Sequence, residues 1–439
     1  MSQKLFGLGD NEFEASDTNF DLFSKPTLNN DFYTYNDFTF KPKHPIQNSE
    51  HNPIVFEIED SRNYSILPSI RIDGKLKVTH ADGSDLTEDE KVSPCNLFPH
   101  ALFQTIDIKV NNQPISDHAR LYPHRAFVHC LFSYSEEVKK NTQICEYFLD
   151  DITKDEKVDD TSSAFTQKMD LIKKSRICYF SFEPKIDTMT ITRFFPPGHS
   201  IAFEFIRAPS HFTLLGSDES KKYKIEIVDM SLTCRQLLPT ESIESRMKKL
   251  MLTKDIHLPV TRLVSRTRSL HAGLFDGTIY NAISGKMPSH IMMLFLKNSQ
   301  ITSDLSCNPF HFGRYDLEEA NLVINGQSYP SEALTFNETV GDYFKAFKFF
   351  LSNIGCTGDM SIGIGPNRYV KDSFCLAFDL TPDICLNNHM HFFEDSVNID
   401  IKLRFKKALA HPLTVLYIST YDNCVTISPD KSVTLDYTV

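Results

Sequence analysis

Few residues in this chain have the types and spacing that chemistry requires. His389 and His391 stand one residue apart, with Glu394 close behind. On a strand that spacing puts two imidazoles on one face, as a metal site would need. A third histidine is lacking nearby, so the simpler reading is a loop near a strand end. Gly355, Gly358, Gly363 and Gly365 make the richest glycine segment. It lacks the Lys-Ser/Thr pair that would hold phosphate and magnesium, so it reads as a flexible surface loop. Cys375 and Cys385 are too far apart to read as a ligand pair. Glu57, Glu59 and Asp60 sit at a strand end and read as solvated carboxylates, not as an acid–base pair. Tyr421, Asp422 and Asn423 read as a polar corner between two apolar strands, because Asp and Asn can satisfy their own backbone in a turn. The chain contains no G-x-S-x-G, H-E-x-x-H or G-x-x-x-x-G-K-[ST] pattern. No catalytic, cofactor-binding or metal-binding residue is therefore expected, no cofactor is called for, and the chain is not expected to be an enzyme.

The elements that would carry such residues are mostly strands. Ile70, Ile72, Leu76 and Val78 alternate with Arg71, Asp73, Lys75, Lys77 and Thr79, and Val397, Ile399, Ile401, Leu403 and Phe405 alternate with polar partners. Period two of this kind marks half-buried strands. Further strands are expected at 54–58, 106–110, 176–182, 200–206 and 223–234. In the second half they are expected at 260–270, 290–296, 320–324, 374–380 and 413–421. Helices are expected at 118–134, where Leu121, Phe127, Val128, Leu131 and Phe132 recur at spacings of three and four, and at 337–352. Residues 150–175 are polar and read as a long surface loop.

Composition bounds the rest. At 439 residues the chain suits two domains of about 200 residues each. Hydrophobic residues make up 41%, enough for sizeable cores, and 35 Phe with no Trp suit sandwiches packed face to face. A net charge of −11 argues against a dedicated nucleic-acid binder, since phosphate contacts need a basic footprint. Ten cysteines without a C-x-x-C pair, several in apolar runs such as those around Cys178 and Cys375, read as buried thiols formed in a reducing compartment. No apolar run follows a basic start and no stretch approaches a membrane span, so a soluble protein without a signal peptide is expected.

The two halves repeat each other. Asn96-Leu97-Phe98 leads to a strand ending Val110-Asn111-Asn112-Gln113, and then an aromatic-rich helix. Asn308-Pro309-Phe310 leads to a strand ending Ile324-Asn325-Gly326-Gln327, and then another such helix. Both turn dipeptides tolerate positive φ. About eight strands per half, with a helix inserted in each, predict an all-β fold of two tandem eight-stranded jelly-roll β-sandwiches. The division expected is an extended N-terminal arm at 1–45, a first jelly roll at 46–238, a connecting helix or linker at 239–255 and a second jelly roll at 256–439.

Several segments together resemble the major capsid proteins of Polinton/Maverick elements and the related adintoviruses. They are Pro94 to Phe103, Tyr122 to Phe127 with Leu131 to Tyr134, Asn308 to Phe312, Val323 to Gln327, Ala377 to Asp383, Tyr421 to Asn423, and the arm around Phe20-Asp21-Leu22-Phe23. The resemblance runs over nearly the whole chain in order. One departure is the arm, which has Phe and Tyr at 30–40 where that family often carries a Trp. The resemblance implies a double jelly-roll structural protein that forms a homotrimer, a hexon-like pseudo-hexameric tile. Its partners would be neighbouring capsomers and a minor, penton-like capsid protein, in an icosahedral shell around double-stranded DNA. It implies no membrane-spanning segment and no sequence-specific nucleic-acid binding. The place implied is the virion capsid, made and assembled inside the host cell, in cytoplasm or nucleus. The alternatives are a single-sandwich vertex protein, against which the duplication counts, and a cupin- or lectin-like β-sandwich binding module or enzyme, which would need a metal cluster or pocket.

Overall fold

The computed structural model describes residues 32–47, 52–59, 63–117, 119–149, 157–218, 220–302, 305–337, 343–356, 361–382 and 397–435. In chain order the first half forms β1 (Phe32–Phe40), β2 (Ile54–Ile58), β3 (Tyr64–His80), β4 (Val92–Pro94), β5 (Phe103–Val110), β6 (Gln113–Pro114), β7 (Cys178–Phe182), β8 (Ile201–Arg207), β9 (Leu214–Gly216) and β10 (Tyr223–Pro239). The second half forms β11 (Ile256–Leu270), β12 (Asp276–Gly285), β13 (His290–Lys297), β14 (Leu317–Ile324), β15 (Gln327–Thr335), β16 (Leu376–Asp379), β17 (Val397–Phe405), β18 (Leu413–Ile427) and β19 (Val433–Leu435).

Each half is a pair of facing antiparallel sheets with the same plan. The first has orders β1-β10-β3-β7 and β2-β8-β5-β6; the second has β11-β18-β13-β16 and β12-β17-β14-β15. Setting aside the short β4, β9 and β19, the strands of the two halves correspond one to one in chain order. Each half is thus an eight-stranded jelly roll, as the sequence predicts. The alternating residues point as expected: Ile70, Ile72, Leu76 and Val78 are buried, and so are Val397, Ile399, Ile401, Leu403 and Phe405. Gly74 is dictated by a close approach. A Cβ there would run into the Phe180 ring and lie 2.9 Å from the Asp229 carbonyl.

The structure departs from the expectations at four places. Phe32–Phe40, inside the expected arm, is a strand paired along β10 from Pro239 to Leu232; residues 1–31 of the arm lie outside the described residues. The expected loop at 150–175 contains the helix Ser163–Ile172, which Ser162 caps and which buries Phe165 and Ile172. Two buried apolar positions, with Lys168 buried beside them, seat it in a charged segment. The glycine segment from Gly355 to Gly365, expected as a surface loop, carries Ile362 and Ile364 into the core, and the short helix Pro366–Lys371 that follows it buries Tyr369 and Val370. Tyr421, Asp422 and Asn423 form no corner. They run through the middle of β18, paired with Arg262, Thr261 and Val260. Two strands gave no alternation to read. β12 is broken by a bulge between Ile279 and Ile283, and β15 is a sheet-edge strand with most residues exposed or half-buried.

The segment 240–255 forms the helix Glu241–Met251, with Glu241 and Glu244 in its first turn, Lys248 and Lys249 in its last, and none of its residues buried.

Candidate assembly site

The residues that drew attention as possible chemistry do not assemble. His389, His391, Glu394, Cys385 and Asp60 lie outside the described residues. Glu57 and Glu59 share the Lys43 ammonium at the surface, which holds the Glu57 carboxyl below its usual range. Cys375 is fully buried beside Leu376, and burial also pushes the Cys178 and Cys234 thiols up to about 11. Gly363 takes a φ of 69° and packs against the Glu136 side chain. Among the described residues no group of three or more His, Cys, Asp or Glu could hold a metal ion, and no helix is long and apolar enough to cross a membrane.

What the fold does bring together is the joint between the two sandwiches. The helix Tyr122–Ser133 starts with Pro123 in its first turn and buries Phe127, Val128, Leu131 and Phe132. These meet the second sandwich. The Phe127 ring stacks on Phe310 with centroids 4.4 Å apart and meets Phe312 edge-on at 5.8 Å. His124 and Phe212 close on Phe310 from the sides at 5.8 Å and 6.2 Å, and Phe132 meets Phe350 at 5.1 Å. The segments Tyr122 to Phe127 and Asn308 to Phe312, legible only as separate motifs, are thus one aromatic contact. Burial pushes the His124 imidazole down to about 4, so it is neutral at pH 7.

A polar seam runs beside it. Arg125 donates to the Leu263 carbonyl at 3.2 Å and the Lys185 carbonyl at 3.3 Å, and lies 3.4 Å from Asp187. The Thr261 N–H donates to Thr190 Oγ1 at 2.8 Å, the Ser265 N–H to Asp117 at 3.0 Å, and Arg193 to the His257 carbonyl at 2.6 Å. The seam pins β11 to the first sandwich along most of its length.

A buried cluster fixes the helix of the joint. His100 Nε2 lies 2.9 Å from Glu146 and its Nδ1 2.8 Å from the Tyr122 hydroxyl, which accepts the Lys185 N–H at 3.2 Å. Burial holds His100 neutral, so Nε2–H donates to the carboxylate and Tyr122 donates to Nδ1. Burial opposes ionisation of Glu146, but His100, Lys185 and the Glu183 N–H outweigh it and keep it charged. With His100 inaccessible to solvent and Tyr122 3% exposed, the cluster admits no substrate and ties the insertion between β6 and β7, which carries Tyr122 and Glu146, to His100 ahead of β5 and Lys185 after β7. Nothing in the local sequence links residues this far apart.

The repeated turn dipeptides do the same work twice. Asn111 and Asn112 take φ of 47° and 65°; Asn325 and Gly326 take 48° and 86°. Asn111 Oδ1 accepts the Ser200 N–H at 3.0 Å, and Asn325 Oδ1 accepts the Asn398 N–H at 2.9 Å. In each sandwich the turn asparagine clamps the start of the next sheet strand.

Known structures with this arrangement decide the fold. The Sputnik virophage structure matches with a TM-score of 0.64 at 11% identity, covering 98% of this chain and 94% of the other. The PBCV-1 virus capsid matches with a TM-score of 0.60 at 10% identity, covering 95% and 100%. The mavirus major capsid protein matches with a TM-score of 0.55 at 10% identity, covering 98% and 96%. This is the double jelly-roll fold. No protein-family profile matches the sequence, and no curated protein does. The double jelly roll here is complete in one chain, and its match to each of these structures spans both sandwiches and the joint.

Proposed function

We propose that this chain is a structural major capsid protein without enzymatic activity. Three copies close into a pseudo-hexameric capsomer of six sandwiches, and capsomers tile an icosahedral shell around double-stranded DNA. The observation that carries this reading is the pair of matched sandwiches locked in tandem by an aromatic joint, in a fold shared end to end with viral capsid proteins. A closed ring uses heterologous contacts, so the first sandwich of one chain meets the second of the next. The segments resembling Polinton/Maverick and adintovirus capsid proteins favour an element of that kind as the source. Neighbouring capsomers and a penton-like minor protein are the partners this reading calls for, and the virion is its location.

The test is size-exclusion chromatography with light scattering, followed by negative-stain microscopy. The reading expects a particle of three times 50.3 kDa and hexagonal outlines. A single-chain mass at micromolar concentration sinks it.

A further inference from the structure

Strands β1 and β11 hold the same place in the two sandwiches. Each begins its jelly roll and pairs along that sandwich's longest late strand, β10 or β18. Their surroundings differ. From Leu258 to Ser265 no residue of β11 is exposed, and Leu258 and Val260 pack into the core of the first sandwich. The cover is the flank of the first sandwich: Asp117, Arg125, Thr190 and Arg193, through the bonds of the polar seam. By contrast every residue of β1 from Tyr33 to Thr39 is exposed. Tyr33 is 80% exposed, at an irregularity in the pairing with β10; Tyr35 is 69% exposed on one face of the strand and Phe38 38% on the other. Arg235 stands over the Tyr35 ring at 5.4 Å and pairs with Asp37 at 2.8 Å, which fixes the geometry of the bare strand. A sheet edge open on both faces and studded with aromatics is a surface that proteins ordinarily cover.

We propose that β1 is covered by the second sandwich of another copy of this chain, laid against β1 as the first sandwich's flank is laid against β11. The inference rests on the capsomer reading. In a ring where first and second sandwiches alternate, the contact inside each chain recurs between chains, and three such contacts close the ring. The counterpart of the helix that supplies Arg125 is the helix Tyr343–Asn353 of the second sandwich, and its Phe344 is 54% exposed. That ring is the apolar group available to meet Tyr33 and Tyr35.

The experiment measures the mass in solution of the full chain, of the double variant Tyr33→Glu/Tyr35→Glu, and of Tyr179→Glu. Tyr179 is as exposed as Tyr35 but lies on β7, at the opposite edge of the same sheet. The expected result is a trimer for the wild type and Tyr179→Glu, and a threefold lower mass for the double variant with unchanged far-ultraviolet circular dichroism. A double variant that stays trimeric overturns the assignment of β1 and leaves the capsomer reading standing. A wild type that is a single chain overturns both. Hydrogen exchange on the wild type decides the matter if the double variant fails to fold. The β1 amides that point away from β10, towards the free edge of the sheet, are expected to exchange slowly in the trimer and fast in chains dissociated by dilution. Protection that persists in single chains means that the same chain covers β1, and the proposal fails.

Discussion

Phe127 of the first sandwich lies flat on Phe310 of the second, with ring planes 8° from parallel. Phe312 meets Phe127 as well, and Phe310 meets three rings of the first sandwich, Phe127, His124 and Phe212. Truncating it with Phe310→Ala should cost about 3–5 kcal/mol. Because the loss falls on the joint, urea unfolding should split from one transition towards two, the sandwiches melting apart. A single transition with an unshifted midpoint would remove the joint from the list of things that hold this chain together.

His124 couples the joint to acid. Its imidazole titrates at about 4 in the folded chain, because burial disfavours the cation, against 6.5 for the ordinary group. The unfolded chain therefore binds the extra proton more readily between these values. The stability contributed is fully present above pH 6.5 and is lost as pH falls towards 4, at roughly 1–3 kcal/mol in all. Unfolding free energies at pH 7 and pH 5 should show this slope in the wild type and a shallower one in His124→Leu. Equal slopes would place the acid sensitivity elsewhere.

The turn asparagines separate two effects. Asn325→Ala should lose both the positive φ preference and the bond from the Asn398 N–H, costing about 1–3 kcal/mol. Asn325→Gly keeps the backbone freedom and should cost less. The same order is expected for Asn111→Ala and Asn111→Gly, whose clamp is on Ser200. Thermal denaturation of the four variants reads it directly, and an alanine no worse than glycine contradicts it.

Gly74 lies on β3 between β7 and β10, opposite Phe180 and Met230. Gly74→Ala should force Phe180 aside and destabilise the first sandwich by about 1–3 kcal/mol. Denaturant midpoints check this, with no change expected in the second sandwich.

The double jelly roll was legible in the sequence because its best strands are half-buried. Val397 to Phe405 and Ile70 to Val78 each put one face in the core, so alternation is written into them. The turns at Asn111-Asn112 and Asn325-Gly326 were legible because positive φ selects residue types. β1 was not, because an edge strand open on both faces has no alternation and looks like a tail. β12 was hidden by its bulge at Asn281, whose φ is 49°. The joint was half legible. Its aromatic segments could be picked out, but the contact of Phe127 with Phe310 joins residues far apart in the chain, and no local period records such a partner. The same holds for His100, Glu146 and Lys185, whose pairing follows from tertiary placement alone.

The connecting helix Glu241–Met251 buries nothing. It is a leash and not a strut: Phe127 on Phe310 and Arg125 on the Leu263 carbonyl align the halves, and both contacts belong to the bodies it joins. What the leash supplies is stoichiometry and a high effective concentration, one copy of each half always within reach of the other. A chain cut there would present the same two bodies with the same matching surfaces. The guarantee of equal numbers and of constant nearness would be gone.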